Sequence, residues 1–185
     1  MNQLRGGDSV TKNSNLTIFQ EVNQLAGTEP RSYSWYRDTV RAVATTHDVY
    51  STMGTLEDTM IPSSGELYMF EYKATYATKL KYYDEFPLVY VLEGGKKFYG
   101  ANLHYLNHRS RMNVVLGLEN GKAKFPKQCY HYYVLNGLET PLFKINRADY
   151  KTAIFLPVEN FVSRRKGMYQ QYIKSAVWGE TNQWA

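Results

Sequence analysis

The pattern of apolar and polar positions has a helical period near the start of the chain. Ile18, Val22 and Leu25 fall on one face of a helix that would end at Gly27. The Ser–Asn pair at 14–15 supplies a candidate cap for the first turn. The sequence therefore predicts a short first helix.

A second helix is predicted over SYSWYRDTVRAVA at 32–44, where Ser32 or Ser34 is placed to cap and the apolar positions again recur at helical spacing. Residues 1–15 mix Gly, Asn, Ser and Thr without a period, which predicts an N-terminal arm. Residues 44–65 are rich in Thr, Ser, Gly and Pro, which indicates a connection rather than a helix or strand.

The middle of the chain has the period of strands. ELYMFEYKA at 66–74 is apolar on both faces, which favours a central strand covered on two sides. FPLVYVLE at 86–93 and KKFYGANLHYL at 96–106 flank a Gly-Gly pair, and such a pair supplies the positive φ that a tight hairpin needs. Gly100 in the returning strand predicts a bulge or a bend.

From residue 107 to the end of the sequence, the apolar pattern indicates helices and strands less distinctly. Residues 107–128 indicate one or two helical turns before an Asn-Gly turn. CYHYYVLNGL at 129–138 and YKTAIFLPVE at 150–159 are typical of strands, separated by a loop around Thr140 and Pro141. A final helix is predicted within FVSRRKGMYQQYIKSAVWGE at 161–180.

This order of elements predicts an α+β fold, because hairpins without crossover helices build antiparallel sheets. The strands are short and bent, so we expect either a small, partly open β-barrel of the SH3-like kind or a curled sheet. Short helices would precede this sheet and one helix would follow it. A chain of 185 residues suits one core, and we expect a single domain over residues 16–185.

Aromatic residues are abundant, with 17 Tyr, 8 Phe and 3 Trp. Tyrosine combines a large apolar ring with a polar tip and suits protein interfaces, although a preference for strands would enrich it as well. We expect the partner interface to include aromatic and arginine side chains on or near the predicted helices. These residues are Trp35, Tyr36, Arg164, Arg165, Tyr169, Tyr172 and Trp178.

The net charge of +5 is concentrated at the C-terminal end, where residues 121–185 carry 10 Lys and Arg against 4 Asp and Glu. Such an excess suits a nucleic-acid or acidic protein partner, although a solvated basic face would produce it too. Arg164, Arg165 and Lys166 are its densest cluster and stand at the predicted start of the last helix.

Sequence motifs with an established catalytic or nucleotide-binding chemistry are absent, including the P-loop and HExxH patterns. We therefore expect no catalytic residues, no cofactor and no metal site. The single cysteine, Cys129, excludes an intrachain disulfide, and with His131 on the same strand face it leaves a thiol-dependent hydrolase as a third hypothesis. His104 falls in a predicted strand, where its spacing from His108 carries no meaning as a metal pair. Asp84 is expected to accept a turn hydrogen bond just before Phe86.

Several blocks occur in a characteristic order: SYSWYRDTVRAV, GELYMFEYKAT, KLKYYDEFPLVYVLE, FYGANLHYL, and TAIFLPVENF followed by SAVW. Through them the chain resembles a family of small tailed-bacteriophage virion proteins, over roughly residues 32–178. Members are often labelled DNA end protector or head-completion protein. This chain departs from the family in having Asn107 where a Pro is usual and in having a shorter stretch at 112–128.

The resemblance implies a virion component, and no segment has the apolar length of a signal peptide or membrane helix, so we expect production in the host cytoplasm. Our first hypothesis is a non-enzymatic structural subunit of the tail, baseplate or neck. It would join other phage structural proteins through aromatic surfaces and through termini that order on contact, and it would use no membrane and no small-molecule substrate. The alternative is a head-completion protein that binds or protects the packaged DNA end through its basic C-terminal third.

Overall fold

The structure is a computed structural model that describes residues 16–182, so the predicted arm at 1–15 lies outside the described residues. Helices and antiparallel strands are mixed along the chain, which confirms the predicted α+β class. In chain order the elements are α1 (Ile18–Ala26), α2 (Tyr33–Ala44), α3 (Val49–Met53), β1 (Asp58–Thr59), β2 (Leu67–Met69), β3 (Tyr83–Asp84), β4 (Leu88–Glu93), β5 (Lys97–Asn102), α4 (His108–Glu119), β6 (Tyr130–Val134), β7 (Leu142–Ile145), α5 (Tyr150–Ala153), β8 (Phe161–Ser163), β9 (Gln170–Gln171) and α6 (Lys174–Asn182).

The strands form two sheets. The larger one has six strands in the order β1-β7-β2-β4-β5-β6, and the smaller one has three in the order β3-β8-β9. All of their pairings are antiparallel. Over the described part of the chain both sheets stay open rather than closing into a barrel, so the curled sheet is the observed form of the two that were predicted.

The predicted central strand is confirmed as β2, which lies between β7 and β4 and is buried on both faces. Leu67 and Met69 face the main core, where residues of α1, α2 and α4 also pack. Tyr68 and Phe70 point to the other side and join a smaller cluster rich in rings. The alternation places apolar layers on both sides of the sheet, as a strand covered twice requires. Within residues 16–182, no helix is both long and apolar enough to span a bilayer.

The first helix begins at a different cap from the one predicted. Thr17, rather than the pair at 14–15, caps the helix: its hydroxyl accepts a hydrogen bond from the main-chain N–H of Gln20. The Gln20 side-chain oxygen in turn accepts from the main-chain N–H of Thr17, which completes a capping box. Leu25 is 43% exposed instead of sharing the buried face. The cap of α2 is confirmed, because the Ser32 hydroxyl accepts from the N–H of Trp35 at 3.2 Å.

The predicted hairpin is confirmed as β4 and β5, and Gly95 in its turn has a φ of 131°. An irregularity of the predicted kind occurs at Gly100, but the extra residue lies in the opposite strand, because the pairing shifts in β4 between Val91, which faces Gly100, and Glu93. A Cβ on Gly100 would stand 2.5 Å from the side chain of Val89. Glycine is needed at this position because the Val89 side chain of β4 packs directly against the main chain of β5 there.

Several regions contain more regular structure than their sequence patterns indicate. The predicted connection at 44–65 contains α3 and β1, and the stretch at 107–128 contains a 12-residue helix, α4. The strand β7 was not predicted. Residues Leu103–Tyr105 form a 3₁₀ turn, so His104 does not lie in a strand.

The C-terminal region is the main error of the sequence prediction. The segment predicted as a strand at 150–159 begins with the helix α5, and the predicted helix at 161–180 starts only at Lys174. Strand β8 instead pairs with β3 and with β9. Lys166 and Gly167 turn the chain between β8 and β9 with φ values of 56° and 74°, so the basic cluster lies in a turn and not at a helix start.

Candidate nucleic-acid interface

The two predicted interface residues near the N-terminus lie together on α2. Trp35 and Tyr36 are partly exposed, pack against the main core and meet edge to face with ring centres 5.1 Å apart. The guanidinium of Arg31 lies 5.2 Å from the centre of the Trp35 ring. Contact of this pair with a neighbouring subunit stays a prediction.

Tyr172 and Trp178 make contacts within the chain. The Tyr172 ring stacks on Tyr82 with centres 4.4 Å apart, and the Trp178 indole N–H donates to the main-chain oxygen of His104 at 2.9 Å. Both contacts hold the C-terminal segment against the rest of the domain. Their part in an interface with another subunit also stays a prediction.

The basic cluster at residues 164–166 is partly neutralised. Arg164 donates to Glu85 at 2.8 Å and to the Tyr83 hydroxyl at 3.0 Å, and the bond to Glu85 is the main reason why the pKa of Arg164 is raised. Its guanidinium also lies 4.9 Å from the ring centre of Tyr169. Arg165 and Lys166 are exposed. The cluster therefore offers fewer unpaired charges than its sequence indicates.

Three other cations of the basic C-terminal third also have carboxylate partners. Lys151 lies 2.8 Å from Glu119. Lys174 lies 3.4 Å from Glu159. Lys144 lies 3.8 Å from Glu66. Glu119 and Glu66, like Glu85, come from earlier in the chain, whereas Glu159 lies in the same C-terminal third.

A different surface combines rings with unpaired cations, and we call it the tyrosine–lysine face. It lies at the outer end of β5 and β6 and in the segments that lead into them. Its members are Tyr99, Tyr130, Tyr132, Lys96, Lys97, Lys124 and Lys127.

The register of the sheet brings the three rings of this face together. Tyr99 pairs with Tyr132 across the two strands, and their ring centres are 4.6 Å apart. Tyr99 also lies nearly parallel to Tyr130 at 5.5 Å. Tyr130 still packs against the main core, whereas Tyr132 is 64% exposed. The rings thus run from the covered part of the sheet to its open end.

Two of the lysines can be placed beside these rings. Lys97 places its ammonium 4.4 Å from the centre of the Tyr132 ring. Phe125 stacks on Tyr90 at 5.6 Å and meets Tyr130 at 6.3 Å, which holds the loop carrying Lys124 beside the face.

The charge of this face is positive. Its four lysines are exposed, and none of them takes part in an ion pair among the described residues. One exposed carboxylate, Glu93, lies opposite Tyr99 in the register. Exposed rings beside cations are the combination that binds bases and phosphates.

Sequence reasoning did not identify this face. Its residues come from three stretches that only the pairing of β5 with β6 brings together. A local signal was present, because Lys97 and Tyr99, and likewise Tyr130 and Tyr132, are two apart and therefore lie on one side of a strand. Part of the high tyrosine content of the chain thus lies on one surface of the sheet.

Cys129 and His131 do not form an activated thiol pair. Cys129 is fully buried, and burial raises the pKa of its thiol to about 12. Burial also lowers the pKa of His131, whose Nε2 hydrogen bonds to the main-chain oxygen of Gln128 at 3.0 Å. A neutral thiol without access to solvent is a poor nucleophile.

We expect Cys129 in the folded protein to resist alkylation by a maleimide at pH 8. The raised pKa leaves about a thousandfold less thiolate than an ordinary cysteine, and burial blocks the reagent as well. A time course of alkylation by mass spectrometry, on the native chain and on the urea-unfolded chain, measures the difference. Equal rates in the two states would contradict the burial of this thiol.

His104 and His108 are each engaged with one carboxylate. His104 Nδ1 lies 2.8 Å from Asp84, and His108 Nε2 lies 3.2 Å from Glu159. Residues 16–182 contain no group of three or more His, Cys, Asp or Glu side chains placed to hold a metal ion.

Comparison with known proteins gives one family. The family model described as phage T4 terminal DNA protecting protein matches residues 13–121, more than half of the 185 residues. No curated protein and no solved structure matches the chain. The match includes β5 and Lys96 but ends before Lys124 and β6. It identifies a bacteriophage protein, and its description fits the DNA-end alternative better than a tail or baseplate subunit.

Proposed function

We propose that this chain, which belongs to the phage T4 terminal DNA protecting protein family, binds the ends of linear duplex DNA through its tyrosine–lysine face. The observation that carries the proposal is a group of three tyrosine rings on β5 and β6, with Lys97 against one ring and three further exposed lysines in the segments that lead into these strands. None of the four lysines has an ion-pair partner in the described residues. Lysines neutralise phosphates, and rings stack on bases. Base faces are accessible at a duplex end but not inside the duplex, so the rings favour ends.

The proposed mode of action is coverage of the end without catalysis. The residues with the chemistry of a nucleophile or a base, Cys129 and the pair of Asp84 with His104, are buried and engaged in packing or in hydrogen bonds within the chain. Cations and rings instead hold the end and exclude other proteins from it. We place the chain in the virion at the packaged DNA end, where contacts with other phage structural proteins stay a prediction.

The first test compares linear duplex DNA with the same sequence as a covalently closed circle. We expect the linear form to bind more tightly, and its affinity to fall with salt with a log–log slope of about −3 to −4, because about 0.9 is expected for each of the four lysines. Titrations between about 50 and 200 mM salt measure this slope. Equal affinity for the two forms, or an affinity that salt does not change, would refute end binding through this face.

A matched pair of double variants locates the contact. Lys124→Gln with Lys127→Gln removes two charges from the face, whereas Arg165→Gln with Lys166→Gln removes two from the C-terminal turn. We expect the first pair to reduce the salt slope by about two and to weaken binding at low salt by about tenfold to a hundredfold. The second pair should leave the slope unchanged. The reverse result would assign DNA contact to the basic C-terminal turn.

A further inference from the structure

A cavity of about 310 Å³ opens next to the tyrosine–lysine face, at the edge strand β6. Lys97 and Tyr132 belong both to the face and to the lining of the cavity. Two of its tyrosines, Tyr76 and Tyr132, are 65% and 64% exposed and stand at its mouth. Four further tyrosines in its lining are buried: Tyr72, Tyr83, Tyr105 and Tyr133.

Positive charge lies at the mouth of this cavity and negative charge at its floor. Lys97 lies 4.4 Å from the Tyr132 ring centre, and Lys79 lies 5.4 Å from the Tyr76 ring centre. A lysine ammonium therefore lies close to the ring of each of these two exposed tyrosines. Asp84 lines the cavity and is 3% exposed. This arrangement favours an anion at the mouth and disfavours one inside.

We infer that the cavity binds an unpaired nucleobase at the terminus of a DNA end, with the adjoining phosphates near Lys79 and Lys97. This inference rests on the proposed function and adds the part of the end that is recognised. A base presents two aromatic faces to the tyrosines of the cavity. The phosphate linked to the base must stay outside, and this agrees with the positive charge at the mouth and the negative charge at the floor. The volume is at the lower end of the range for small-molecule sites, which suits one base.

The occupant is a nucleotide rather than an aromatic side chain of a protein partner. A side chain would use the tyrosine walls but would leave both lysines of the mouth without a counter-charge. Aromatic pockets that hold an extruded or unpaired base combine stacking with contacts to the flanking backbone. Continuity with the tyrosine–lysine face lets one DNA end occupy the two together.

Hairpin DNAs with one free end supply the test. One has a blunt end, one carries a single unpaired 3′ nucleotide, and one carries a single unpaired 5′ nucleotide. A dumbbell closed at both ends is the reference without an end. We expect one of the unpaired forms to bind about tenfold more tightly than the blunt form, because stacking of one base contributes on that order. When 2-aminopurine is the unpaired base, its fluorescence should fall on binding.

A matched pair of tyrosine variants links the effect to the cavity. Tyr76→Ala removes a ring from the mouth, whereas Tyr50→Ala removes a ring of similar exposure, 59%, that does not line the cavity. We expect Tyr76→Ala to reduce the preference for the unpaired end about tenfold while leaving the affinity for the blunt hairpin unchanged. Tyr50→Ala should leave both unchanged.

The outcomes separate the two proposals. If all hairpins bind no better than the dumbbell, end binding itself fails. If the blunt and unpaired hairpins bind equally, and both better than the dumbbell, end binding stands and the base-binding cavity is refuted. A preference that survives Tyr76→Ala undiminished, or an unquenched 2-aminopurine, would also overturn the cavity assignment. Capture of an aromatic peptide in place of the unpaired base would assign the cavity to a protein partner instead.

Discussion

Replacing Arg111 with Met is expected to lower the free energy of unfolding by about 3–5 kcal/mol. The guanidinium is fully buried and lies 2.6 Å from the Glu159 carboxylate. It also donates to the main-chain oxygens of Leu106 at 2.8 Å and Ile154 at 2.9 Å. The substitution keeps most of the volume but leaves these acceptors without a donor. Urea denaturation followed by circular dichroism measures the loss.

The size of this effect depends on Glu159 staying ionised. Burial alone would raise the pKa of Glu159, but the hydrogen bond with His108 and the charges of Arg111, His104 and Lys174 hold it well below its ordinary value. Removing Arg111 therefore leaves a buried negative charge with weaker partners. Losing one partner of a buried ion pair in this way is strongly destabilising, because the remaining charge stays buried without full compensation.

Two comparisons identify the cause. Arg109→Met alters an exposed arginine on the same helix and should change stability by less than about 0.5 kcal/mol. Adding Glu159→Gln to Arg111→Met should recover part of the loss, because the unpaired charge is removed. Similar losses at both arginines, or a double variant that is as unstable as the sum of its parts, would show that the pair does not act as described.

The parts of the fold that could be predicted from sequence are those governed by local patterns. The two-sided apolar pattern of residues 66–74 determines a strand buried on both faces, and the Gly-Gly pair determines the hairpin turn. Ser32 caps α2 because the capping geometry needs only neighbouring residues. These features need no contact with distant parts of the chain.

The prediction for the C-terminal region was wrong because its structure depends on contacts with distant parts of the chain. Tyr169, Tyr172 and Ile173 have helical spacing, but β9 lies among them and pairs with β8, which also pairs with β3 about 80 residues earlier. That pairing, together with the turn at Lys166, outweighs the local periodicity. The apolar run at 150–156 was ambiguous in the same way, because a short run without polar positions fits a strand or a buried helix equally.

The candidate site shows the same division. The sequence reveals an excess of tyrosine and of positive charge, and both are present in the tyrosine–lysine face. It placed the charge at Arg164, whose guanidinium is in fact paired with Glu85, a residue that directly follows β3. Which cations stay unpaired depends on contacts across the fold, and sequence composition does not contain them.

Asp84 is the clearest example of a residue whose local role was predicted and whose larger role was not. Its Oδ1 accepts the predicted turn hydrogen bond from the N–H of Phe86 at 3.1 Å. Its Oδ2 also accepts from the Asn102 amide at 3.1 Å and from His104 Nδ1 at 2.8 Å. Asp84 belongs to the three-stranded sheet and Asn102 to the six-stranded one, so this buried carboxylate connects the two sheets.

We therefore expect Asp84→Ala to lower the free energy of unfolding by about 3–5 kcal/mol, because each buried donor left without an acceptor costs about 1–3 kcal/mol. Asp84→Asn keeps the shape and one acceptor oxygen, so its loss should be smaller. Asp58→Ala removes an exposed aspartate from another strand and should change stability by less than about 0.5 kcal/mol. Thermal and urea unfolding of the three variants measure this order. A loss for Asp84→Ala no larger than that for Asp58→Ala would mean that the two sheets are held together by their apolar contacts alone, without the buried carboxylate.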